Sequence, residues 1–490
     1  MKRARLAPRP TALAVLAALL CLSRVAAGAA PFPLAGASIG EKGLSAFAKE
    51  NLSSFSTFTL SNGLPVIVKK SSANRVEHIS LVIRGGSAAA SEAKAGIEAL
   101  ALKTMARGSG RHGYEEIQEL LDETSSGLGS AASFDYSIYS LTTLDKYFER
   151  LFPLWADTLV APSFKQADFD QELSNARIAL ESKEQDPWSK TGLEMNKRLF
   201  AGHPYAASPD GTQASLAAAS LGDVKAWYAE RMRADALFVV AVGDFDAAKL
   251  RAELEASLGK LPPVGAPLPP VAPLARNGQW SLAKVEFPQS RGMGYLRGDF
   301  AAPTYSDPDY MPLSIGMKML TDLLFNVVRD KHGAVYSAGA FIRDYKANYG
   351  SITLFKTKSP GAAKAYVDEA VAVLASGRAV AIDPQSSKDG FAPIADLLEA
   401  AKAQFINELY ESQATNAAIA GRIAASVVAT GDYRSYLLDV DRIRAVTPEQ
   451  VRAALGKYFL KGPVAWVALG SADVLIPAQA VDFTGFGGGR

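Results

Sequence analysis

Cysteine and histidine are scarce in this sequence of 490 residues, which contains one cysteine and four histidines. The cysteine, Cys21, lies in an N-terminal segment that we expect to be removed, so the mature chain would have no thiol. That excludes disulfide bonds and a cysteine nucleophile. The histidines are spread along the chain and match no spacing of metal ligands: His78, His112, His203 and His332.

An excess of charge of either sign is also missing. The chain has 52 basic and 50 acidic residues, and its net charge is +2. This balance gives no reason to expect binding to nucleic acid or to an anionic membrane surface. The chain is too long for one compact domain, so two or more domains are expected.

Residues 1–29 have the pattern of a secretory signal peptide. Basic residues precede a short apolar run over 12–22, and the small residues "VAAGAA" follow. The run is too short to span a bilayer, and a buried N-terminal helix is the alternative. We therefore expect an exported chain with a periplasmic location. No later stretch is apolar and long enough to predict a membrane span.

The rest of the chain divides at "GKLPPVGAPLPPVAP", which has six prolines in 15 residues. Proline fixes φ and stiffens the backbone, so this segment is typical of an extended linker between domains. The predicted parts are an extended lead-in over 30–54, an N-terminal domain over 55–258, the linker over 259–275, a C-terminal domain over 276–478 and a flexible tail over 479–490.

The second domain repeats the pattern of the first. "VKAWY" and "VVAVG" begin at positions 224 and 239, and "VRAAL" and "WVALG" each begin 227 residues later. "IRGG" and "LRGD" are analogous at an offset of 213. Matches in the same order at a constant offset indicate duplication. Because each half mixes strands with helical patterns, the expected fold class is α+β, with two similar domains and helices on one face of each sheet.

Several segments, in this order, resemble the insulinase/pitrilysin family of zinc metallopeptidases. They are "LSNGLPVIVKK", "IRGGSAAASEAKAG", "LFAGHPYAASPDGTQASL", "VVAVGDFD" and "RDKHGAVY", spread over about residues 55–475. The resemblance implies a metallohydrolase fold like that of the mitochondrial processing peptidase, in which two duplicated domains form a clam-shell.

Enzymes of that family carry the motif H-x-x-E-H on their first helix. Histidines at i and i+4 share a helix face and can bind one zinc ion, and the glutamate takes a proton from zinc-bound water. A further glutamate on a later helix is the third ligand. In this sequence the resemblance places these functions at Ala99, Leu102, Lys103 and Ala179. Methyl groups have no lone pairs, leucine is not a base, and lysine brings a positive charge that repels zinc.

Neighbouring residues do not restore the metal site. Glu98 is adjacent to Ala99, and Glu181 is two positions from Ala179, so on a helix both point elsewhere. His112 belongs to "HGYEE", which is out of register and typical of a helix start. A serine hydrolase is not indicated, because the chain has no G-x-S-x-G motif. We expect no cofactor in this chain and zinc only on a partner subunit.

Arg329 and Tyr336 match a pair that active relatives use. They stand seven residues apart in "RDKHGAVY", with Gly333 between them. In active relatives this pair reaches over the zinc from the opposite domain and stabilises the oxyanion, a task that suits a guanidinium and a phenol. The alternative is an arginine that ends a helix and a tyrosine that starts a strand.

The segment "GLGSAASFDYSIYSL" matches the edge strand to which family members add a substrate peptide. Backbone groups bind such a peptide, so no particular side chain is needed. The candidate substrate-binding residues are Gly129, Ser130, Ala131, Ala132 and Ser133. An ordinary sheet strand is the alternative.

Lost zinc ligands together with a retained Arg/Tyr pair resemble the non-metal chain of the heterodimers that some bacterial family members form. The expected function is an exported subunit that binds peptide and completes the active site of a zinc-bearing partner. The alternative from another class is a purely structural or chaperone-like subunit. A self-sufficient peptidase with an unusual site is the third hypothesis.

Overall fold

The computed structural model describes residues 45–276, 280, 282–383, 387–476, 483 and 486. The predicted signal peptide with Cys21, most of the lead-in and most of the tail lie outside the described residues, so those predictions stay predictions.

The N-terminal half is built on a mixed six-stranded sheet with the order β1-β2-β6-β3-β5-β4. A hairpin at Asn62-Gly63, where Gly63 has φ +90°, pairs the first two strands antiparallel. Of the neighbouring strands, β2 and β6 run parallel and the others antiparallel. The strands are β1 (Phe55–Thr59), β2 (Pro65–Lys70), β3 (Val76–Arg84), β4 (Gly127–Ala132), β5 (Tyr136–Leu144) and β6 (Leu237–Gly243).

Helices of the same half cover one face of this sheet. Strand residues alternate between two faces, and Ile79, Leu81 and Val239 point into the core beneath these helices. The helices of this half are α1 (Ala46–Leu52), α2 (Ile97–Met105), α3 (Tyr114–Glu123), α4 (Asp145–Val160), α5 (Gln166–Gln185), α6 (Pro187–Leu199), α7 (Gln213–Ala218), α8 (Leu221–Arg231) and α9 (Ala247–Ala256), of which α1 and α6 lie outside this layer.

The C-terminal half repeats this topology. Its main sheet has the order β7-β13-β8-β10-β9, which matches the N-terminal order without β1. The last main-sheet strand of each half, β6 or β13, pairs in parallel with β2 or β7 and antiparallel with β3 or β8. The predicted duplication and the α+β class are therefore confirmed. The strands are β7 (Ala283–Glu286), β8 (Gly294–Ala301), β9 (Val335–Ile342), β10 (Tyr349–Thr357), β11 (Arg378–Val380), β12 (Phe391–Pro393) and β13 (Ala465–Gly470).

Helices of the C-terminal half form a second layer over its sheet. The helices of this half are α10 (Tyr310–Leu323), α11 (Pro360–Ala375), α12 (Ile394–Glu411), α13 (Asn416–Thr430), α14 (Asp439–Ala445), α15 (Pro448–Ala454) and α16 (Ala472–Leu475), of which α13 lies outside this layer. Two of them continue as π-helix, over Leu324–Lys331 and Leu455–Leu460.

One helix of each half crosses to the sheet of the other half. From the N-terminal half, α6 lays Trp188 and Met195 on the open face of the second sheet. From the C-terminal half, α13 lays Ile423 and Val427 on the open face of the first sheet, against Phe238 and its neighbours. Each half therefore covers the face of the other half's sheet that the other half's own helices leave open.

A polar contact also joins the halves. Tyr205 donates a hydrogen bond to the buried carboxyl of Asp135 at 2.6 Å. The other oxygen of Asp135 accepts the backbone N–H of Lys346 at 2.8 Å, and the Ala347 N–H donates to the Tyr205 hydroxyl at 3.1 Å. Burial raises the pKa of the Asp135 carboxyl, although these hydrogen bonds oppose the rise.

One helix has the length and composition of a membrane span, contrary to the expectation that no later stretch would qualify. It covers the 22 residues Tyr310–Lys331, and 72% of its most apolar window is buried inside the fold. Its apolar residues pack in the core of the C-terminal half, which accounts for its composition.

Two local predictions need correction. The lead-in is not extended throughout, because Ala46–Leu52 is helical and the side chain of Ser45 caps it by accepting the N–H of Ala48 at 3.2 Å. The predicted flexible tail is wrong at Phe483 and Phe486, which pack into the C-terminal core beside Trp466. In both places long-range packing overrides a polar or glycine-rich local pattern.

The predicted linker has no helix or strand between residues 261 and 275. It is tied to the N-terminal half, because the carbonyls of Pro262 and Pro263 accept the N–H groups of Ala234 and Asp235 at 2.8 and 3.1 Å.

We expect Ile423→Ala, on α13, to weaken the N-terminal sheet although Ile423 belongs to the other half. Removal of a fully buried isoleucine costs about 2–5 kcal/mol. Hydrogen-exchange mass spectrometry should show faster exchange in peptides that cover 76–84 and 237–243. Ala417→Ser on the exposed side of α13 is the control. Unchanged protection of both strands in Ile423→Ala would contradict the reciprocal cover.

Candidate functional site

The structure brings the three predicted metal-ligand positions together. Ala99 and Lys103 on α2 and Ala179 on α5 line one small pocket of about 50 Å³. Ala99 and Lys103 are four residues apart, so they share one side of α2, and this side faces the part of α5 that carries Ala179. The pocket therefore lies where the resemblance puts the zinc, and the three ligand positions present two methyl groups and a lysine.

Leu102 does not reach this pocket. Its side chain is buried in the hydrophobic core of the N-terminal half. A leucine there stabilises the packing of α2 on the sheet and cannot accept a proton. Within the described part of the chain, no group of three or more His, Cys, Asp or Glu side chains is placed to hold a metal ion.

Sequence reasoning missed two charged residues of the pocket. Lys183 lies one helical turn after Ala179 and pairs with Asp210 at 2.6 Å. Helical spacing from Ala179 would have identified Lys183, whereas Asp210 comes from a distant loop. That loop is held against α2 by a close glycine contact: a Cβ on Gly96, which has φ +84°, would lie 2.8 Å from the Cα of Gly211.

Glu98 points away from the pocket, as its helical position predicts, and is buried beside Arg231. Burial raises the pKa of its carboxyl to about 7, although the positive charge of Arg231 opposes the rise. The group is therefore no substitute for the missing ligands. It is a buried carboxyl whose ionisation costs folding free energy.

The four histidines remain apart and have separate partners. His78 lies between the hydroxyls of Thr142 and Ser80 at 2.7 and 2.6 Å, and burial lowers the pKa of its imidazole to about 4. His112 contacts Glu116 just before α3, as expected of a helix start.

The candidate peptide-binding residues lie on and beside β4, the strand at one edge of the first sheet. Gly129, Ser130, Ala131 and Ala132 belong to β4, and Ser133 follows directly. One edge of β4 pairs with β5, and the strand ends the sheet on its other side. Helix α2 packs against β4, so the pocket and the strand edge are neighbours.

Arg329 and Tyr336 flank the tight turn that joins the π-helical segment to β9. The turn is closed by hydrogen bonds from Gly333 N–H to the Arg329 carbonyl at 2.8 Å and from Ala334 N–H to the Val328 carbonyl at 2.9 Å. Gly333 has φ +59°, a conformation that favours glycine. Tyr336 is 70% exposed, and the Arg329 guanidinium lies 5.3 Å from the ring of Phe325.

Side chains from α11 hold this turn in place. His332 stacks on Tyr366 with ring centroids 3.7 Å apart and contacts Glu369 at 2.8 Å. Lys331 pairs with the same carboxylate at 2.6 Å. The turn is therefore anchored, while Arg329 and Tyr336 face solvent on either side of it. Neither residue lines the pocket between α2 and α5.

The geometry defines a class of protein: a duplicated, peptidase-like α+β fold whose metal pocket has no ligands at the expected positions. Comparison with known families agrees. Residues 65–207 match the model of "Insulinase (Peptidase family M16)", and residues 218–376 match that of "Peptidase M16 inactive domain". The chain belongs to the insulinase family, as a member without the zinc-binding residues.

Solved structures share the fold at low sequence identity. The peptidase M16 inactive domain from Pseudomonas fluorescens is 23% identical with a TM-score of 0.74, and the alignment covers 85% of this chain and 98% of that one. A protease from Helicobacter pylori is 16% identical with a TM-score of 0.73, covering 85% and 99%. A chain of complex III2 from Candida albicans is 17% identical with a TM-score of 0.72, covering 87% and 97%. No curated protein sequence matches the chain.

We expect the purified wild-type chain to retain no stoichiometric zinc after dialysis, and the triple variant Ala99→His, Lys103→His and Ala179→Glu to gain about one zinc per chain. The variant places two imidazoles and a carboxylate around a pocket that already exists. Elemental analysis measures both. The same variant with Ala179→Gln is the control, because an amide is a poor zinc ligand. A folded triple variant without zinc would show that the pocket is not the former metal site.

We expect Glu98→Gln to gain stability relative to wild type as pH rises. The folded pKa of Glu98, about 7, lies above its unfolded value. Its favourable contribution is therefore complete below about pH 4.5 and is lost as pH rises to about 7, a change of about 3 kcal/mol. Urea unfolding of both proteins from pH 4.5 to 8 measures the difference. The buried neutral His78 makes both proteins more stable as pH rises, so its effect cancels in the difference between them. Glu115→Gln, at an exposed position, is the control. A pH-independent difference would contradict the assignment.

Proposed function

We propose that this chain is the non-metal subunit of a two-chain metallopeptidase: it binds peptide and completes the active site of a zinc-bearing partner after export. The observation that carries the proposal is the anchored turn with Arg329 and Tyr336. Both side chains are exposed in a chain whose own metal positions hold no ligands. A guanidinium and a phenol on a rigid turn can donate hydrogen bonds to an oxyanion that forms on another subunit.

The chemistry of this pair supports a role in the transition state. A partner would supply the zinc, which polarises the carbonyl and activates water. This chain would supply two donors, the Arg329 guanidinium and the Tyr336 hydroxyl, at the carbonyl oxygen as negative charge develops there. The free edge of β4 would hold an extended segment of the substrate through backbone hydrogen bonds.

Export is part of the proposal. The N-terminal pattern of basic residues, a short apolar run and small residues supports it. A structural neighbour described as the periplasmic protease PqqL from Escherichia coli adds support: it is 18% identical with a TM-score of 0.69, and the alignment covers 85% of this chain and 45% of that one.

A purely structural subunit is the second candidate. One observation favours it: the fold is shared by a chain of complex III2 from Candida albicans, a multi-subunit assembly. In that case the exposed turn would serve only for packing against a partner, and loss of a single hydroxyl there would change nothing in a reaction.

The test is Tyr336→Phe in a complex reconstituted with an insulinase-family subunit from the same organism that carries intact H-x-x-E-H. Loss of one oxyanion donor costs roughly 100- to 1000-fold in kcat. We expect that loss in peptidase activity, with assembly on size-exclusion chromatography unchanged because the ring remains.

Tyr114→Phe, which removes a hydroxyl from another exposed tyrosine, is the matched control and should keep full activity. Full activity of the assembled Tyr336→Phe complex would reject the catalytic role and favour the structural subunit.

A further inference from the structure

We propose that the pocket between α2 and α5 is a carboxylate-binding site in which the ammonium of Lys103 occupies the place of the metal cation. The ligand class is a peptide carboxylate. This inference rests on the proposed peptide binding along β4 and does not depend on the partner subunit.

The pocket has room for a small polar group. Its walls include the side chains of Ala99, Ala176 and Ala179. Ala99 and Ala179 are short at the positions where the resemblance places an imidazole and a carboxylate. The open volume is about 50 Å³. A buried water molecule needs about 10–15 Å³ of such open volume, so the pocket can admit a carboxylate group but not a large side chain.

The charge of the pocket selects an anion. Three charged side chains line it: Lys103, Lys183 and Asp210. Asp210 neutralises Lys183, with 2.6 Å between Nζ and Oδ2. Lys103 has no ion-pair partner among the residues that the structure describes, so one positive charge remains. An ammonium donates up to three hydrogen bonds and accepts none, which suits a carboxylate and repels a metal cation.

The neighbouring strand identifies the carboxylate as that of a peptide. Helix α2, which carries Lys103, packs against β4, and β4 ends the first sheet with an unpaired edge. Gly129, Ser130 and Ala131 are exposed, and they have no side chain or a small one, so an extended chain can approach the backbone of β4 closely. A peptide that pairs with β4 lies beside α2, where its carboxylate can meet Lys103. The carboxylate can come from the C-terminus or from an acidic side chain.

Nuclear magnetic resonance of the full chain with ¹³C-dimethylated lysines can test the site directly, since dimethylation keeps the charge. The Lys103 signal is assigned by its loss in Lys103→Arg. The probes are an acetylated peptide of six alternating alanine and valine residues as the free acid, the same peptide as the C-terminal amide, and the amide with one internal glutamate.

We expect the free acid, the glutamate peptide or both to shift the Lys103 signal, and the uncharged amide to leave it in place. Lys103→Met should weaken binding of the active acid about two- to fivefold, the range of an exposed ion pair. Lys146→Met, which removes an exposed lysine on α4, should change nothing. The difference between the free acid and the glutamate peptide identifies the source of the carboxylate.

An unmoved Lys103 signal with every probe would overturn the carboxylate site. A second contrary result is that the free acid and the amide bind equally well, and that Lys103→Met binds both as tightly as wild type does. That result would support peptide binding along the β4 edge and reject the carboxylate site. The activity of the Tyr336→Phe complex is a separate measurement, so failure here and failure of the proposed function can be told apart.

Discussion

The fold depends on the exchange of one helix between the halves. Each sheet has an inner face covered by helices of its own half and an outer face that also carries buried apolar side chains. On the first sheet that outer face includes Phe238, Val240 and Val242, which are fully buried beneath α13 of the other half. Burial of each such side chain contributes about 1.5–3 kcal/mol, so exposure of the whole face would cost much of the marginal stability of a domain. Neither half is therefore an independent unit, although the chain is a duplication.

This exchange also explains how the pocket keeps its shape without a metal. Helix α6, which crosses to the second sheet, follows α5 with only Asp186 between them, and Asp186 caps α6 by accepting the N–H of Ser189 at 2.7 Å. Since α6 is fixed by Trp188 and Met195 on the second sheet, α5 is held beside α2. The contact between Gly96 and Gly211 fixes the neighbouring loop. Packing, and not coordination, supports the frame, so substitution of the ligands leaves the fold intact.

The pocket between α2 and α5 and the turn between Arg329 and Tyr336 both present hydrogen-bond donors. The pocket has Lys103 where a zinc ligand would stand, and the anchored turn has Arg329 and Tyr336 exposed on either side. All three are hydrogen-bond donors, and two carry positive charge. Under the proposals made above, Lys103 would recognise the carboxylate of a peptide, and Arg329 and Tyr336 would recognise an oxyanion during the reaction.

Much of the architecture follows from local pattern. The mixture of strand and helix patterns in each half predicted the α+β class, which the two sheets and their helix layers confirm. The constant offset between repeated segments predicted the duplicated domains. The identity of Ala99, Lys103 and Ala179 was decisive too, since no tertiary arrangement can give an alanine a lone pair.

Tertiary structure decided the features that depend on contacts between distant residues. The helix over Pro187–Leu199 and its place on the opposite sheet were not predicted, because its partners lie more than 80 residues away in the chain. The same holds for Asp210, which the Gly96–Gly211 contact brings to Lys183, and for Phe483 and Phe486, which pack in the core despite a glycine-rich context. The sequence alone determined which chemical groups exist. Only the folded chain, through burial and close approach of remote segments, decided which of them are neutralised, which are buried and which remain free to bind.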